Sequence, residues 1–428
     1  MQPKSYLVIG GGLVGAASAL RLQAAGFAVT LIDPGDPRRA ASFGNIGHIA
    51  AEQVSPLASR ESLRTFPTRL FGLGGPLDFR WRDIGVWAPW ALRFIAASDP
   101  DRHARGQAAL TAILAQALPA WRRLAAFSGA PEVVGRDGHA VVWMSPRAAE
   151  RGLRDWEGAA TGSAAFRSMG ADDLAAYAPV MARPPVAGIR FSGTAQVSEP
   201  QAARDALMTA FRVRGGEMAH ASVARLAAGR RVVAHLEGGG LREAEGALVA
   251  AGAWAGRLMR DLGVEAPVIA ERGYSVQSAD HGWDEALPPT VFEEQSMVVS
   301  RFTSGLRASS FVEFGAPDAP GDPRKWRVLE RRLADLGIRF SPRPDRWVGP
   351  RPTLPDYLPA IGRLESDPRI LYAFGHQHLG LTMAAVTAEL TASLAQERDP
   401  EIDLAPFRIE RFARVQGRTA PSDRTTYL

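Results

Sequence analysis

The chain has 428 residues, which at roughly 150 residues per domain allows two or three domains and a sizeable core. Its 46% hydrophobic and 22% charged residues exclude disordered and collagen-like classes, and the absence of cysteine excludes disulfide scaffolds, thiol nucleophiles, cysteine-type zinc sites, iron–sulfur clusters and a cysteinyl flavin link. The net charge of +5 rests on arginines scattered along the chain beside only Lys4 and Lys325, so it reads as compositional bias and not as the clustered basic face of a nucleic-acid-binding protein.

The first readable unit is strand, glycine turn, helix, strand. Tyr6-Leu7-Val8-Ile9 is an apolar run suited to a buried parallel strand. Gly10-Gly11-Gly12-Leu13-Val14-Gly15 follows at once, residues 16–25 read as a helix stopped at Gly26, and residues 27–32 read as a second strand that leads to Asp33. The uncharged stretch 5–20 behind Lys4 imitates a secretory leader, but its four glycines weaken such a helix and the pattern runs on into the second strand. Physically the unit suits a dinucleotide. Gly10 permits the tight turn, Gly12 lets the backbone approach a pyrophosphate, Gly15 allows close helix–strand packing, and the helix N-terminus offers unpaired N–H groups. Asp33, 18 residues after Gly15, can accept hydrogen bonds from an adenosine ribose.

After Asp33 the loop 34–47 holds Ser42, Phe43, Gly44, Asn45, Ile46 and Gly47, followed by His48; its small and amide residues suit either the edge of a flat polar ligand or a plain loop. Residues 103–128 show helical spacing through Leu110, Ile113, Leu114, Leu118, Trp121 and Leu124, with Pro119 expected to kink or restart the helix. A helix is predicted over 200–214. Residues 217–249 alternate short apolar runs with glycine turns as a β-meander does. Residues 274–314, aromatic and β-branched, predict a second, mostly antiparallel sheet. The basic stretch Arg324–Arg332 has Trp326, Leu329, Leu333 and Leu336 at helical spacing and reads as a solvated helix face. A strand over 370–374, a loop over 375–380 and a helix close the pattern. The uncharged run 370–388 could span a bilayer by length, but His376, Gln377 and His378 at its middle make that costly, so no transmembrane segment is expected.

In their order along the chain, these motifs resemble the D-amino acid oxidase superfamily of FAD-dependent amine oxidoreductases, most closely its D-amino acid dehydrogenase branch. The resemblance covers residues 5–396. It is carried by Gly10-x-Gly12-x-x-Gly15 with Asp33, Ala41-Ser42-Phe43-Gly44-Asn45-Ile46-Gly47, Gly193-Thr194-Ala195-Gln196-Val197-Ser198-Glu199-Pro200, Ala250-Ala251-Gly252-Ala253-Trp254-Ala255, Arg272-Gly273-Tyr274-Ser275, Arg351-Pro352-x-x-Pro355-Asp356 and Gly375-His376-x-x-x-Gly380.

The resemblance implies an α/β fold, α+β overall, of the glycine oxidase and D-amino acid oxidase type. A Rossmann-like FAD-binding domain would comprise residues 1–95, 190–272 and 345–400, with an inserted substrate-binding domain of residues 96–189 and 273–344 on a mostly antiparallel sheet, and residues 401–428 as a C-terminal tail. FAD would be held without a covalent link. Gly10, Gly12, Leu13, Val14 and Gly15 would face its pyrophosphate and Asp33 its ribose. Ser42, Asn45, Ile46 and Gly47 would take the ring edge, Val223 the adenine side, and Gly252 with Trp254 a phosphate or ring neighbour. Gly375, His378, Leu379, Gly380, Leu381 and Thr382 would face the pyrimidine end. Two departures from the family pattern stand out: Pro34 replaces the usual basic residue after the ribose acid, and His378 stands where some relatives carry a second carboxylate-binding arginine.

The same resemblance makes Arg351 the clasp for a substrate carboxylate and Tyr274 a second donor to it. His48, His376 and His378 could bond substrate, flavin or a loop carbonyl, and Trp143, Phe302 and Trp347 either line the pocket or belong to the core. The implied reaction passes a hydride from Cα of a D-amino acid, or of a cyclic one such as hydroxy-D-proline, to flavin N5, and the imine hydrolyses to a keto acid or stays cyclic. Electrons would leave to a quinone, another carrier or oxygen. The alternatives are a sarcosine- or glycine-type amine oxidase and a catalytic subunit of a larger amine-oxidising complex. No metal and no nucleic acid are expected. The location expected is cytoplasmic, with peripheral contact at the cytoplasmic membrane face left open, and the oligomeric state is not legible.

Overall fold

The structure is a computed structural model that describes residues 3–413. The first apolar run forms strand Ser5–Ile9, flanked in parallel by Ala28–Asp33 and Gly246–Val249. Glu217–His220 extends the sheet on one side, while Ile370–Phe374 and the antiparallel Ala360–Arg363 extend it on the other. Alternation along a strand sends neighbouring side chains to opposite faces. Tyr6 and Val8 therefore join the core made with helices Leu13–Ala24, Pro200–Val213 and Gly380–Ala395. Leu7 and Ile9 pack instead against a three-stranded meander, Val223–Ala228, Val232–Leu236 and Leu241–Ala244.

The predicted meander over 217–249 is thus shorter than expected. Its end segments, Glu217–His220 and Gly246–Val249, are taken by parallel partners in the first sheet. Helices Pro100–Ala115 and Ala117–Ser128 separate at Gln116, so Pro119 falls in the first turn of the second helix, where its missing N–H costs nothing. Leu110, Ile113, Leu118 and Trp121 join the helical core of the first sheet, although residues 96–189 were expected on the substrate side. The Trp121 indole donates to the Leu381 carbonyl at 2.8 Å and ties this pair to helix Gly380–Ala395.

The second sheet runs in the order Asp345–Thr353, Ile269–Ser278, Gly305–Gly315, Met297–Phe302, Thr290–Phe292, Ala140–Trp143, Ala187–Ser192, Ala165–Ser168, with Leu77–Phe79 also on Gly305–Gly315. Only two of its pairings are parallel, so it is mostly antiparallel. A small third sheet joins His48–Ile49 and Val134–Asp137 through Ala195–Val197. The basic stretch forms helix Pro323–Asp335, but its solvated face stops at Lys325. That side chain is fully buried, its ammonium 2.6 Å from Glu313 and close to Asp78.

Phe407 and Ile409 are buried in the two cores, so residues 401–413 pack on the first sheet and are no tail; residues 414–428 lie outside the described residues. The run 370–388 divides into strand, turn and helix, and no helix among the described residues is long and apolar enough to cross a membrane.

Candidate active site

The carboxyl ends of the parallel strands and one wall of the second sheet line a single cavity of about 820 Å³. At its nucleotide end the three motif glycines have different reasons to be glycine. A Cβ on Gly15 would stand 1.8 Å from the Gly10 carbonyl oxygen, and one on Gly10, at φ +105°, would stand 2.4 Å from that of Ala250. A Cβ on Gly12 would meet no atom within 4 Å. Gly12 lines the cavity, so its bareness serves whatever enters there. Helix Leu13–Ala24 opens at Gly12 without a side-chain cap, leaving first-turn N–H groups and the positive end of the helix for an anion. Asp33 accepts the Gly11 N–H at 2.7 Å and the Gly35 N–H at 2.9 Å, which fixes the glycine turn and leaves carboxylate lone pairs for hydroxyl donors. These features fit the diphosphate and ribose of FAD.

Arg204, absent from the sequence reading, reaches this turn from helix Pro200–Val213. Its Nε donates to the Gly11 carbonyl at 2.6 Å and its guanidinium lies 4.0 Å from Asp33. Among 48 arginines it carries no distinguishing sequence signal.

Further along the cavity, Leu13, Val14, Ser42, Asn45, Ile46, Val223, Gly252, Trp254, His378, Gly380 and Leu381 all line it. Gly47, Gly375, Leu379 and Thr382 do not. Gly47 and Gly375 shape turns at φ +75° and +78°. Leu379 is core, and the Thr382 hydroxyl accepts from the Ala50 N–H and donates to the His48 carbonyl, splicing the last helix to the His48 strand.

At the other end, Glu271 and Arg351 are directly opposed across antiparallel strands Ile269–Ser278 and Asp345–Thr353. Arg351 donates from one terminal nitrogen to Glu271 at 3.3 Å and to the Phe311 carbonyl at 3.1 Å, and its side chain stays partly open to the cavity. The second Glu271 oxygen accepts from the Thr353 and Tyr357 hydroxyls, both at 3.1 Å. A Cβ on Gly273 would fall 2.2 Å from the Arg351 guanidinium, so this glycine lets the arginine lie across the strand. Glu271 precedes the Arg272-Gly273-Tyr274-Ser275 motif and was missed for that reason.

Tyr274 is corrected. Arg272 and Tyr274 share the strand face opposite Glu271, and both bond to buried Glu313, at 2.6 and 2.9 Å. Tyr274 is buried and does not line the cavity; burial raises its phenol pKa far above the usual value. Of the aromatics, Trp347 lines the cavity, while Trp143 and Phe302 are core. Three non-glycine residues in the left-handed region, Ser296, Phe311 and Gln377, also line it, a concentration of backbone strain typical of functional sites.

His48, His376 and His378 all line the cavity but differ in their partners. His376 is buried, bonded to the Thr387 hydroxyl at 3.1 Å, and burial pulls its pKa down to about 3. His378 bonds to Gln53 at 2.6 Å on the cavity wall, and burial lowers its pKa too. His48 lines the cavity and bonds to buried Glu52 at 2.9 Å.

The sequence model of the family described as FAD dependent oxidoreductase (DAO) matches residues 5–394. Over 416 residues the chain is 30% identical to a D-amino-acid oxidase of Bradyrhizobium diazoefficiens, covering 95% of this chain and 98% of that one. It is 28% identical over 441 residues to a D-amino acid dehydrogenase of Cereibacter sphaeroides, covering 98% of each. Among solved structures, glycine oxidase from Geobacillus kaustophilus has the same fold, with a TM-score of 0.69, 19% identity, and coverage of 96% of this chain and 99% of that one. With the glycine turn, the paired sheets and the cavity between them, these matches make the chain a member of the DAO family of FAD-dependent oxidoreductases.

Proposed function

We propose that the chain oxidises the carbon–nitrogen bond of a D-configured α-amino acid, cyclic ones such as hydroxy-D-proline included, to an imine that hydrolyses to a keto acid or stays cyclic. The observation that carries this reading is the Glu271–Arg351 pair in the cavity wall, opposite charges set for a zwitterion. Arg351 takes the carboxylate through its remaining N–H donors and so fixes which face of Cα is presented. Glu271, held by Thr353 and Tyr357, anchors the arginine and offers an acceptor to the amine. His378 and Gln53 close the wall nearby, and Trp347 and Phe311 add apolar surface. At the far end the Gly10–Gly15 turn and the helix N-terminus hold the cofactor diphosphate, Arg204 adds positive charge, and Asp33 binds the ribose. Bound FAD supplies the two-electron acceptor for the Cα hydride. The D configuration is supported by the names of the relatives, D-amino-acid oxidase and D-amino acid dehydrogenase.

An acceptor reached at a membrane surface is supported by helix Ile84–Ala97 and the residues before it. Trp81 is 76% exposed and Leu92 70% exposed, with Ile84 and Ile95 exposed at helical spacing and Arg82 and Arg69 exposed nearby in sequence. An apolar stripe with a tryptophan and arginines suits an anionic lipid surface.

An anaerobic visible titration tests the reaction. Bleaching of the flavin band by D-amino acids or hydroxy-D-proline, and not by their L-enantiomers, is expected. Bleaching by sarcosine or glycine alone would replace this reading with the N-substituted glycine oxidase. Reoxidation in air, or its failure until a quinone is added, identifies the acceptor.

A further inference from the structure

We propose that His48, Glu52 and His139 form a binding site for one divalent first-row transition ion, zinc being the ion used to test it. His48 lines the cavity whereas Glu52 and His139 are buried and do not, and the site is independent of the substrate reading. The small sheet assembles it: His48 lies on strand His48–Ile49, Glu52 four residues further, and His139 just beyond strand Val134–Asp137, with Ala195–Val197 pairing to both strands. Residues far apart in sequence meet there through backbone pairing. Two imidazoles and a carboxylate, with no thiol, are a donor set suited to such an ion, three protein ligands leaving a fourth position open.

The geometry is convergent. Both Nε2 atoms approach the same Glu52 oxygen, His48 at 2.9 Å and His139 at 3.9 Å, and the three ligand atoms lie within 4.8 Å of one another. Metal–ligand bonds of about 2.0–2.2 Å hold their ligand atoms roughly 3–4 Å apart, so small side-chain shifts suffice. His139 is already oriented for the task. Its Nδ1 faces the Thr194 hydroxyl at 3.1 Å, and the Phe191 ring stacks on it at 4.4 Å. If Nδ1 carries the proton and donates it to Thr194, the Nε2 lone pair points into the cluster, as an outer hydrogen bond does for a ligating histidine.

The second, independent observation is an unmet bonding need. Glu52 and His139 are each 3% exposed, yet the other Glu52 oxygen and His48 Nδ1 have no hydrogen-bond partner. A buried carboxylate with one oxygen unpartnered is costly, and such orphans call for a water or an ion. The other grouping of potential ligands among the described residues, Asp78, Glu313 and Asp322, lacks this need because the Lys325 ammonium already sits within it.

The test uses flavin-loaded protein without an affinity tag, stripped with chelator, incubated with zinc or ferrous iron, desalted, and analysed for bound metal against flavin. The expected result is about one ion per flavin for the natural chain. Glu52→Gln and His139→Gln should each weaken binding by about tenfold or more in competition with a chelating dye. Retained flavin absorbance and helical circular dichroism show that each variant is folded. Cobalt loading gives a readout that needs no variant: d–d bands at longer wavelength than the flavin band. A natural chain that retains neither metal, or folded variants that bind as tightly as it does, would overturn the site. Iron retained in preference to zinc would keep the site and change its ion.

Discussion

The two ends of the cavity are built in opposite ways. The nucleotide end is built around one continuous segment, Gly10 to Asp33, and works mainly through bare backbone: a glycine turn, the start of a helix and one carboxylate that ties the turn together, with Arg204 reaching in from helix Pro200–Val213. The other end, proposed for the substrate, comes from side chains 80 positions apart in sequence, Glu271 and Arg351, which meet only because two antiparallel strands share a register. The first end is a local property of the chain. The second exists only in the folded sheet, so the two should fail differently when altered.

Gly15→Val tests the first end most severely. Its side chain would collide with the Gly10 carbonyl 1.8 Å away, and a loss of about 3 kcal/mol or more in chemical unfolding, or no folded protein at all, is expected. Gly12→Val, only three residues earlier, should fold with nearly unchanged unfolding of the flavin-free protein but purify colourless, because a Cβ there meets no protein atom within 4 Å and the residue lines the cavity proposed for the cofactor. Equal behaviour of the two variants would erase the distinction between packing glycine and binding glycine.

At the second end, Arg351→Ala should leave the flavin bound and raise KM by about 100-fold, equivalent to about 3 kcal/mol, in steady-state kinetics. Glu271→Gln should keep the shape but weaken the anchor, raising KM by about tenfold, a smaller effect measured in the same assay. A larger effect for Glu271 than for Arg351 would transfer the main binding role to the carboxylate.

The last test concerns His376 and the pH dependence of stability. Burial holds its pKa near 3, whereas in the unfolded chain it titrates near 6.5. Between those values the unfolded chain binds more protons, so stability rises with pH across the window and falls as the medium is acidified below about 6.5. His376→Gln should flatten that acid slope by at most about 1.4 kcal/mol per pH unit, read from denaturant midpoints across the window. An unchanged slope would mean that His376 is protonated in the fold.

The sequence made the strand–glycine turn–helix–strand unit legible because each of its constraints falls within a few residues, and Gly10, Gly12, Gly15, Asp33 and Gly252 line one cavity. The motif Arg351-Pro352-x-x-Pro355-Asp356 likewise pointed to a cavity residue. Tyr274 misled because a motif names residues without saying which way a strand turns them. Its alternation with Gly273 and Glu271 put the tyrosine against Glu313 and the glutamate in the cavity. Lys325 misled similarly, since helical spacing marks an apolar stripe but gives no sign that Asp78 and Glu313, from distant strands, will join the helix's own Asp322 around a neighbouring lysine.

By itself the sequence determined the cofactor fold, the place of the glycine turn and the alternation of two sheet types, because these rest on local backbone conformation and on the periodicity of apolar residues. The tertiary structure alone decided which charges pair in the cavity wall, what each histidine bonds to, and that His48, Glu52 and His139 converge. Those facts depend on strand register and on pairings between distant segments, and register fixes the direction of every side chain on a strand at once.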